Sequence, residues 1–123
     1  MSGPQRDTIA IVDDDTAVRD SLSLLLEVVG YMVEAFASAA EFLQAKQDKI
    51  GCLILDHHMP GMTGLELAAR LRTDGNEIPI MLITGSPSPA MIARAAELRV
   101  DRVVEKPPEE GPLLEFLERA MSR

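Results

Sequence analysis

The 123-residue sequence has no tryptophan, one tyrosine and three phenylalanines. A core built from it must therefore be aliphatic, filled by Leu, Ile, Val, Ala and Met. Its single cysteine, Cys52, excludes an internal disulfide. Cys52 lies in an apolar run and reads as a small buried side chain rather than a reactive thiol. Basic residues are also few, 12 Lys and Arg against 20 Asp and Glu, for a formal net charge of −8. A nucleic-acid surface needs clustered cations to meet phosphates, so no direct nucleic-acid contact is expected. No apolar run approaches the roughly 18 residues that span a bilayer. The polar opening Met-Ser-Gly-Pro-Gln-Arg-Asp lacks the apolar centre of a signal peptide. A cytoplasmic protein without membrane contact is expected. Internal repeats and low-complexity tracts are missing too.

What remains is an ordinary globular balance, 46% apolar and 26% charged, in a length suited to one domain. Residues 1–7 read as a flexible tail and 8–121 as the domain. Short β-rich segments fall at Thr8–Val12, Met32–Phe36, Cys52–Leu55, Ile80–Ile83 and Arg102–Val104. Three are near-continuous aliphatic runs, the pattern of strands covered on both faces. Between them lie helical patterns. Val18, Leu22, Leu25, Leu26 and Val29 share one face, with Gly30 as a stop. Ala40–Ala45 follows Ser38, and Leu65, Ala68, Ala69 and Leu71 mark a third helix. Pro89–Leu98 has Ser88 as N-cap and proline in its first turn. Leu113, Phe116, Leu117 and Ala120 give the last. Strict alternation with short connections predicts an α/β fold, a doubly wound five-stranded parallel sheet with helices on both faces.

Sites in such sheets form beyond the carboxyl ends of the strands, and polar residues gather there. Asp13 and Asp14 follow the first strand, Asp56 the third, Thr84 ends the fourth and Lys106 follows the fifth. Carboxylates crowded together disfavour their shared ionisation, and a divalent cation relieves the repulsion. Oxygen-only ligands suit Mg²⁺. A carboxylate beside such an ion can attack phosphorus and become an aspartyl phosphate. Such transfer needs positioning and neutralised charge, which Mg²⁺, Lys106 and Thr84 could supply.

The arrangement resembles the response-regulator receiver family of two-component signalling, over nearly the whole chain. Ile9-Ala-Ile-Val-Asp13-Asp14-Asp15 is similar to its acidic opening, and Leu55-Asp56-His57-His58-Met59-Pro60, followed by Gly64, to its phospho-acceptor segment. Ile83-Thr84-Gly85 and Glu105-Lys106-Pro107 resemble its switch threonine and lysine–proline signature. The resemblance implies the (βα)5 flavodoxin-like receiver fold, with Asp56 as acceptor and Lys106 and Thr84 on the phosphoryl oxygens. It implies Mg²⁺ or Mn²⁺ held by Asp14 directly, Asp13 through water, Asp56 and the His58 backbone carbonyl. It also implies a cis bond at Lys106–Pro107. Implied partners are a histidine kinase or phosphotransfer protein as donor, and an output domain or protein on the face of the fourth helix, fifth strand and fifth helix. A second copy of the chain is a further partner. Receivers of LuxR-type regulators or hybrid kinases are the nearest subgroups. The receiver supports its own phosphotransfer and dephosphorylation but is not a metabolic enzyme.

Each of these groups also has a blander reading. Asp13 and Asp14 alone would suit a helix N-terminus, and Asp15 reads as a helix cap rather than a ligand. His57 and His58 suggest zinc, but adjacent residues diverge and no third nitrogen or sulfur ligand is at hand. A haloacid-dehalogenase-like phosphatase also uses an Asp nucleophile. It usually has a second Asp where His58 stands, and this chain lacks room for a substrate cap. A pseudo-receiver working without phosphorylation is the third reading, and the intact set of five site residues argues against it. Three positions depart from the family pattern: Val103 replaces an aromatic, Arg99 a helix-closing glycine, and Pro108 a further aromatic. They lie on the output face, whereas the chemical set is complete.

Overall fold

A computed structural model describes residues 5–122. Residues 1–4 of the expected tail lie outside the described residues. The order is β1 (Thr8–Val12), α1 (Thr16–Val29), β2 (Met32–Phe36), α2 (Ala39–Gln44), β3 (Ile50–Asp56), α3 (Gly64–Thr73), β4 (Ile80–Thr84), α4 (Pro89–Glu97), β5 (Arg102–Glu105) and α5 (Glu110–Met121). All five strands pair in parallel, in the order β2-β1-β3-β4-β5. β3 is longer at both ends than the apolar run Cys52–Leu55, because strand pairing carries it through Gly51 and into Asp56. No helix among the described residues is long and apolar enough to cross a membrane.

Side chains alternate across a strand, and here both faces are covered. Ala10, Val12, Leu53, Leu55, Ile80 and Leu82 point to one side, where they meet Phe42, Leu67, Ala68 and Leu71. Ile9, Ile11, Cys52, Ile54, Met81 and Ile83 point to the other, against Leu22, Leu26, Leu113, Phe116 and Leu117. β1 and β4 are buried at every residue, which is why they read as unbroken aliphatic runs. Each fully buried Leu or Ile contributes about 1.5–3 kcal/mol relative to exposure. β2 and β5 are the edges and are more exposed.

The helix boundaries follow local chemistry. The Asp15 side chain accepts from the Ala17 and Val18 N–H groups and starts α1, so its expected capping role holds. Thr63 and Glu66 form a reciprocal capping box on α3. Ser88 caps α4, with Pro89 in the first turn. Gly30 closes α1 in the left-handed region at φ 115°. Arg99 does the same after α4 at φ 57°, where a side chain ordinarily costs about 1–2 kcal/mol. Compensation is visible. The Arg99 guanidinium grips Glu77 through bonds of 2.9 and 2.8 Å, and the Arg99 carbonyl accepts from Arg72 at 2.9 Å.

α3 packs so closely beneath the end of β3 that its first residue must be glycine. A Cβ on Gly64 would lie 2.6 Å from the Asp56 carbonyl oxygen, 2.8 Å from His57 Cα and 2.8 Å from Leu82 Cδ1. Two of these atoms are backbone and cannot swing aside. Gly64→Ala is therefore expected to destabilise the fold by about 1–3 kcal/mol, as overpacking does. Urea denaturation measures it, and an unchanged midpoint would mean that the α3 entry can shift freely.

Candidate functional site

The ends of four strands, β1, β3, β4 and β5, meet at the carboxyl edge of the sheet. β1 and β3 are the pair between which the strand order reverses, the place where such folds leave a crevice. Backbone hydrogen bonds fix each residue that emerges there. The Asp13 N–H donates to the Phe36 carbonyl at 3.1 Å, the His57 N–H to Ile83 at 2.9 Å, and the Lys106 N–H to Thr84 at 2.9 Å. The Lys106–Pro107 peptide is cis.

Asp13 and Asp56 are 2% and 1% exposed, whereas Asp14 is exposed. One carboxylate oxygen from each of the three lies within 4.8 Å of the others. Lys106 reaches in from the β5 side. Its Nζ is 2.9 Å from Asp56 Oδ1 and 3.8 Å from Asp13 Oδ2. Asp56 Oδ1 also accepts from the His58 backbone N–H at 3.3 Å, while the buried Oδ2 has no hydrogen-bond partner. Asp13 Oδ1 accepts from the Asp15 N–H at 2.9 Å.

The electrostatics follow from this crowding. Burial pushes the Asp13 carboxyl above its ordinary value. The Asp15 hydrogen bond works against that, the Asp56 charge adds to it, Lys106 opposes it and Asp14 adds again. Burial alone would lower Lys106. Its hydrogen bond to Asp56 and the charges of Asp13, Asp56 and Asp14 together outweigh burial and hold the ammonium above its usual range. The site is thus an acidic pocket with one cation drawn into it. A buried carboxylate oxygen without a partner beside two further carboxylates is a donor set that fits a hard divalent cation. The ligands are all oxygen, as Mg²⁺ or Mn²⁺ prefers.

Thr84 is wholly buried at the end of β4. Its Oγ1 accepts from the Ser86 N–H at 3.2 Å and lies 3.1 Å from His58 Nε2. The two histidine rings, expected to point apart, instead pack edge to face with centroids 5.1 Å apart, while their nitrogens meet different partners. His57 Nδ1 faces the Leu65 N–H at 3.4 Å. Neither histidine joins the acidic cluster through its ring among the described residues.

Asp13, Asp14, Asp56 and Lys106 therefore share one site, with Thr84 linked to it through His58. Two contributors escaped the reading of the sequence. Arg19 Nη1 donates to the Asp13 carbonyl at 2.7 Å and pins the β1–α1 loop from one turn into α1. Its helical spacing after the acidic run was the available signal. The His58 side chain's contact with Thr84 joins residues 26 apart in sequence, and no local pattern reports it. A concavity of about 960 Å³ lies elsewhere, along Arg6, Gly51, Asn76, Glu77 and Met121, and it has none of these groups.

Known proteins share this design. The family model for the response regulator receiver domain matches residues 9–118. The transcriptional regulatory protein FixJ of Bradyrhizobium diazoefficiens is 36% identical over 92% of this chain and 56% of its own length. Response regulator protein TodT of Pseudomonas putida is 39% identical over 92% of this chain and 50% of its own. The chain thus spans about half the length of these curated relatives. Among solved structures, FixJ-N superposes with a TM-score of 0.81 at 33% identity, covering 100% of this chain and 97% of that one. Vibrio cholerae chemotaxis protein CheY4 gives 0.82 at 27% identity, covering 96% and 99%. With five parallel strands, five helices and an acidic carboxyl edge, the chain belongs to the response regulator receiver family of two-component signalling systems.

Proposed function

We propose that Asp56 accepts a phosphoryl group from a histidine kinase or a phosphotransfer protein, with a divalent cation held at Asp13, Asp14, Asp56 and the His58 carbonyl. The observation that carries this reading is Asp56 itself, a buried carboxylate with Lys106 on one oxygen and no partner on the other. The partnerless oxygen is the group left to act as nucleophile or metal ligand. A bound Mg²⁺ would neutralise charge on the transferred oxygens. Lys106 holds Oδ1 and orients the carboxylate, and its ammonium is placed to meet a phosphoryl oxygen once the acyl phosphate forms. Thr84 supplies a hydroxyl at the same rim. Asp13, restrained by Asp15, fills the role of a ligand acting through water, and exposed Asp14 that of a direct ligand.

Response regulators of this kind work with histidine kinases and output domains, and receivers are signalling modules rather than classical enzymes. Self-catalysed phosphotransfer and dephosphorylation, a cytoplasmic setting, a domain spanning residues 8–121 behind a flexible tail, and output or dimerisation through α4, β5 and α5 complete the proposal. Val103 sits at the expected aromatic position, half-buried against the α3–α4 side of the sheet. Short and stiff at its first torsion, it cannot sweep the volume of a ring. Phosphorylation is proposed to shift the domain between two states, and that shift is assigned to the loop after Thr84 and to α4 rather than to residue 103.

Three outcomes test this reading. Mg²⁺ at 100 times its dissociation constant should stabilise the fold by about 2.7 kcal/mol, and Asp14→Ala should remove most of that gain. Thermal melts read it, and indifference to millimolar Mg²⁺ would refute the metal site. Incubation with an acyl phosphate and Mg²⁺ should add one hydroxylamine-labile phosphoryl group to Asp56 by mass spectrometry. Label persisting in Asp56→Asn, or found on His57 or His58, would refute the acceptor. The raised Asp13 value sets a pH dependence. A folded-state value above the unfolded one adds stability below the unfolded value, which is lost as pH rises through the folded one. In metal-free buffer at neutral pH, Asp13→Asn should then melt higher than the parent while gaining less from Mg²⁺. A lower melting temperature without metal would contradict the repulsion.

A further inference from the structure

A hydroxyl has one proton to give and can accept two hydrogen bonds, and this limit bears on Thr84. Its Oγ1 already accepts from the Ser86 N–H at 3.2 Å and faces His58 Nε2 at 3.1 Å. Two proton arrangements satisfy that distance. If Nε2 carried the hydrogen, Oγ1 would accept twice. The threonine's own proton would then sit in a wholly buried site with no other acceptor in range among the described residues. Buried donors are almost always paired. If Nε2 is bare, every group is satisfied. Ser86 donates to Oγ1, the Thr84 hydroxyl donates to His58, and Nδ1–H of the exposed His58 has water available. His57, the other ring beside it, turns its Nδ1 to the Leu65 N–H and leaves the contact alone.

We propose that His58 is a positioning residue that accepts the Thr84 hydroxyl proton in the resting protein and so withholds it from a phosphoryl group on Asp56. This rests on the reading of Asp56 as acceptor and Thr84 as a phosphoryl ligand. Phosphorylation becomes a competition for one proton. An anionic phosphoryl oxygen is the stronger acceptor, so the hydroxyl turns to it and the ring is released. The phosphoryl group leaves the donor's phosphohistidine nitrogen as the Asp56 O–P bond forms, one P–N bond broken for one P–O bond made, and the exchange at Thr84 changes hydrogen bonds only. His58 is suited to this role because it touches both partners. Its backbone N–H lies on Asp56 Oδ1 at 3.3 Å while its ring lies on Thr84. Thr84 in turn holds Ser86, in the loop leading to α4. The contact links the acceptor to α4 without the missing aromatic at residue 103.

The test uses the Mg²⁺-loaded protein with and without beryllofluoride as the phosphoryl mimic. Long-range ¹⁵N–¹H spectra of the imidazole rings, recorded where they are neutral, should show His58 as the Nδ1–H tautomer in the resting protein. Its Nε2 hydrogen-bond shift should disappear when the mimic binds. An Nε2–H tautomer at rest, or an Nε2 signal unmoved by the mimic, overturns the proposal. His58→Ala, confirmed folded by circular dichroism, should bind beryllofluoride about fivefold more tightly, the gain from no longer giving up one hydrogen bond. Equal or weaker affinity, with the parent still binding, overturns this inference alone. A folded parent that does not bind the mimic overturns the phospho-acceptor reading and this inference with it.

Discussion

Asp13 and Asp56 lie almost wholly out of water beside a third carboxylate, and the ammonium of Lys106 is the cation brought within 2.9 Å of one of them. Like charges in a medium poorer than water repel strongly, and a buried charge is tolerated only when paired. The Lys106–Asp56 contact therefore does more than decorate the site. It lets β1 and β3 end in acid at the same depth, and it ties the end of β5 back across β4 to the crevice. The pairing is incomplete. Asp13 stays above its ordinary range, and Asp56 keeps one oxygen without a partner. That shortfall is what makes the site receptive to a cation and to a new group on oxygen.

The scaffold holds this site on a sheet packed on both faces. Two aliphatic layers grip the sheet, and β1 and β4 are buried from end to end. At the far end of α4, Arg72 donates to the carbonyls of Asn76, Ile78, Leu98 and Arg99 at 2.8–2.9 Å. One guanidinium thus fastens the last turn of α4 to the turn before β4. The other end of α4 begins beyond Gly85 and Ser86, held to the site through Thr84. Arg99 fits this picture. It takes the left-handed turn that a glycine would take more easily and is locked to Glu77, so the departure reinforces the anchor.

Relatives such as FixJ and TodT are about twice as long as the matched region. Receivers share their chemistry and differ in how they report it, and this chain divides along the same line. The carboxyl edge gathers three carboxylates, a lysine and a threonine. On β5, Val103 stands where the family commonly carries a ring. On the proposal above, the part-buried contact between His58 and Thr84 would be a substitute linkage, because hydrogen bonds to a saturated hydroxyl are exclusive in a way that packing is not.

The sequence by itself determined the alternation of strands and helices, because burial on both faces leaves aliphatic runs and one-sided burial leaves helical periodicity. It determined the caps at Asp15 and Ser88, since capping is settled within three residues. It also placed Asp13, Asp14, Asp56, Thr84 and Lys106 at strand ends, because parallel strands joined by helices put all their carboxyl ends on one edge. Only the tertiary structure decided how those residues divide the site. That Asp13 and Asp56 are buried while Asp14 is exposed depends on the packing of three strands and a helix. That Arg19 holds the Asp13 carbonyl, Arg72 holds α4, and His58 rather than His57 reaches Thr84 depends on distances between segments far apart in the chain. Local sequence specifies which groups are available and in which direction a strand delivers them. Which of them touch is set by strand register and helix packing, and these exist only once the whole sheet has formed.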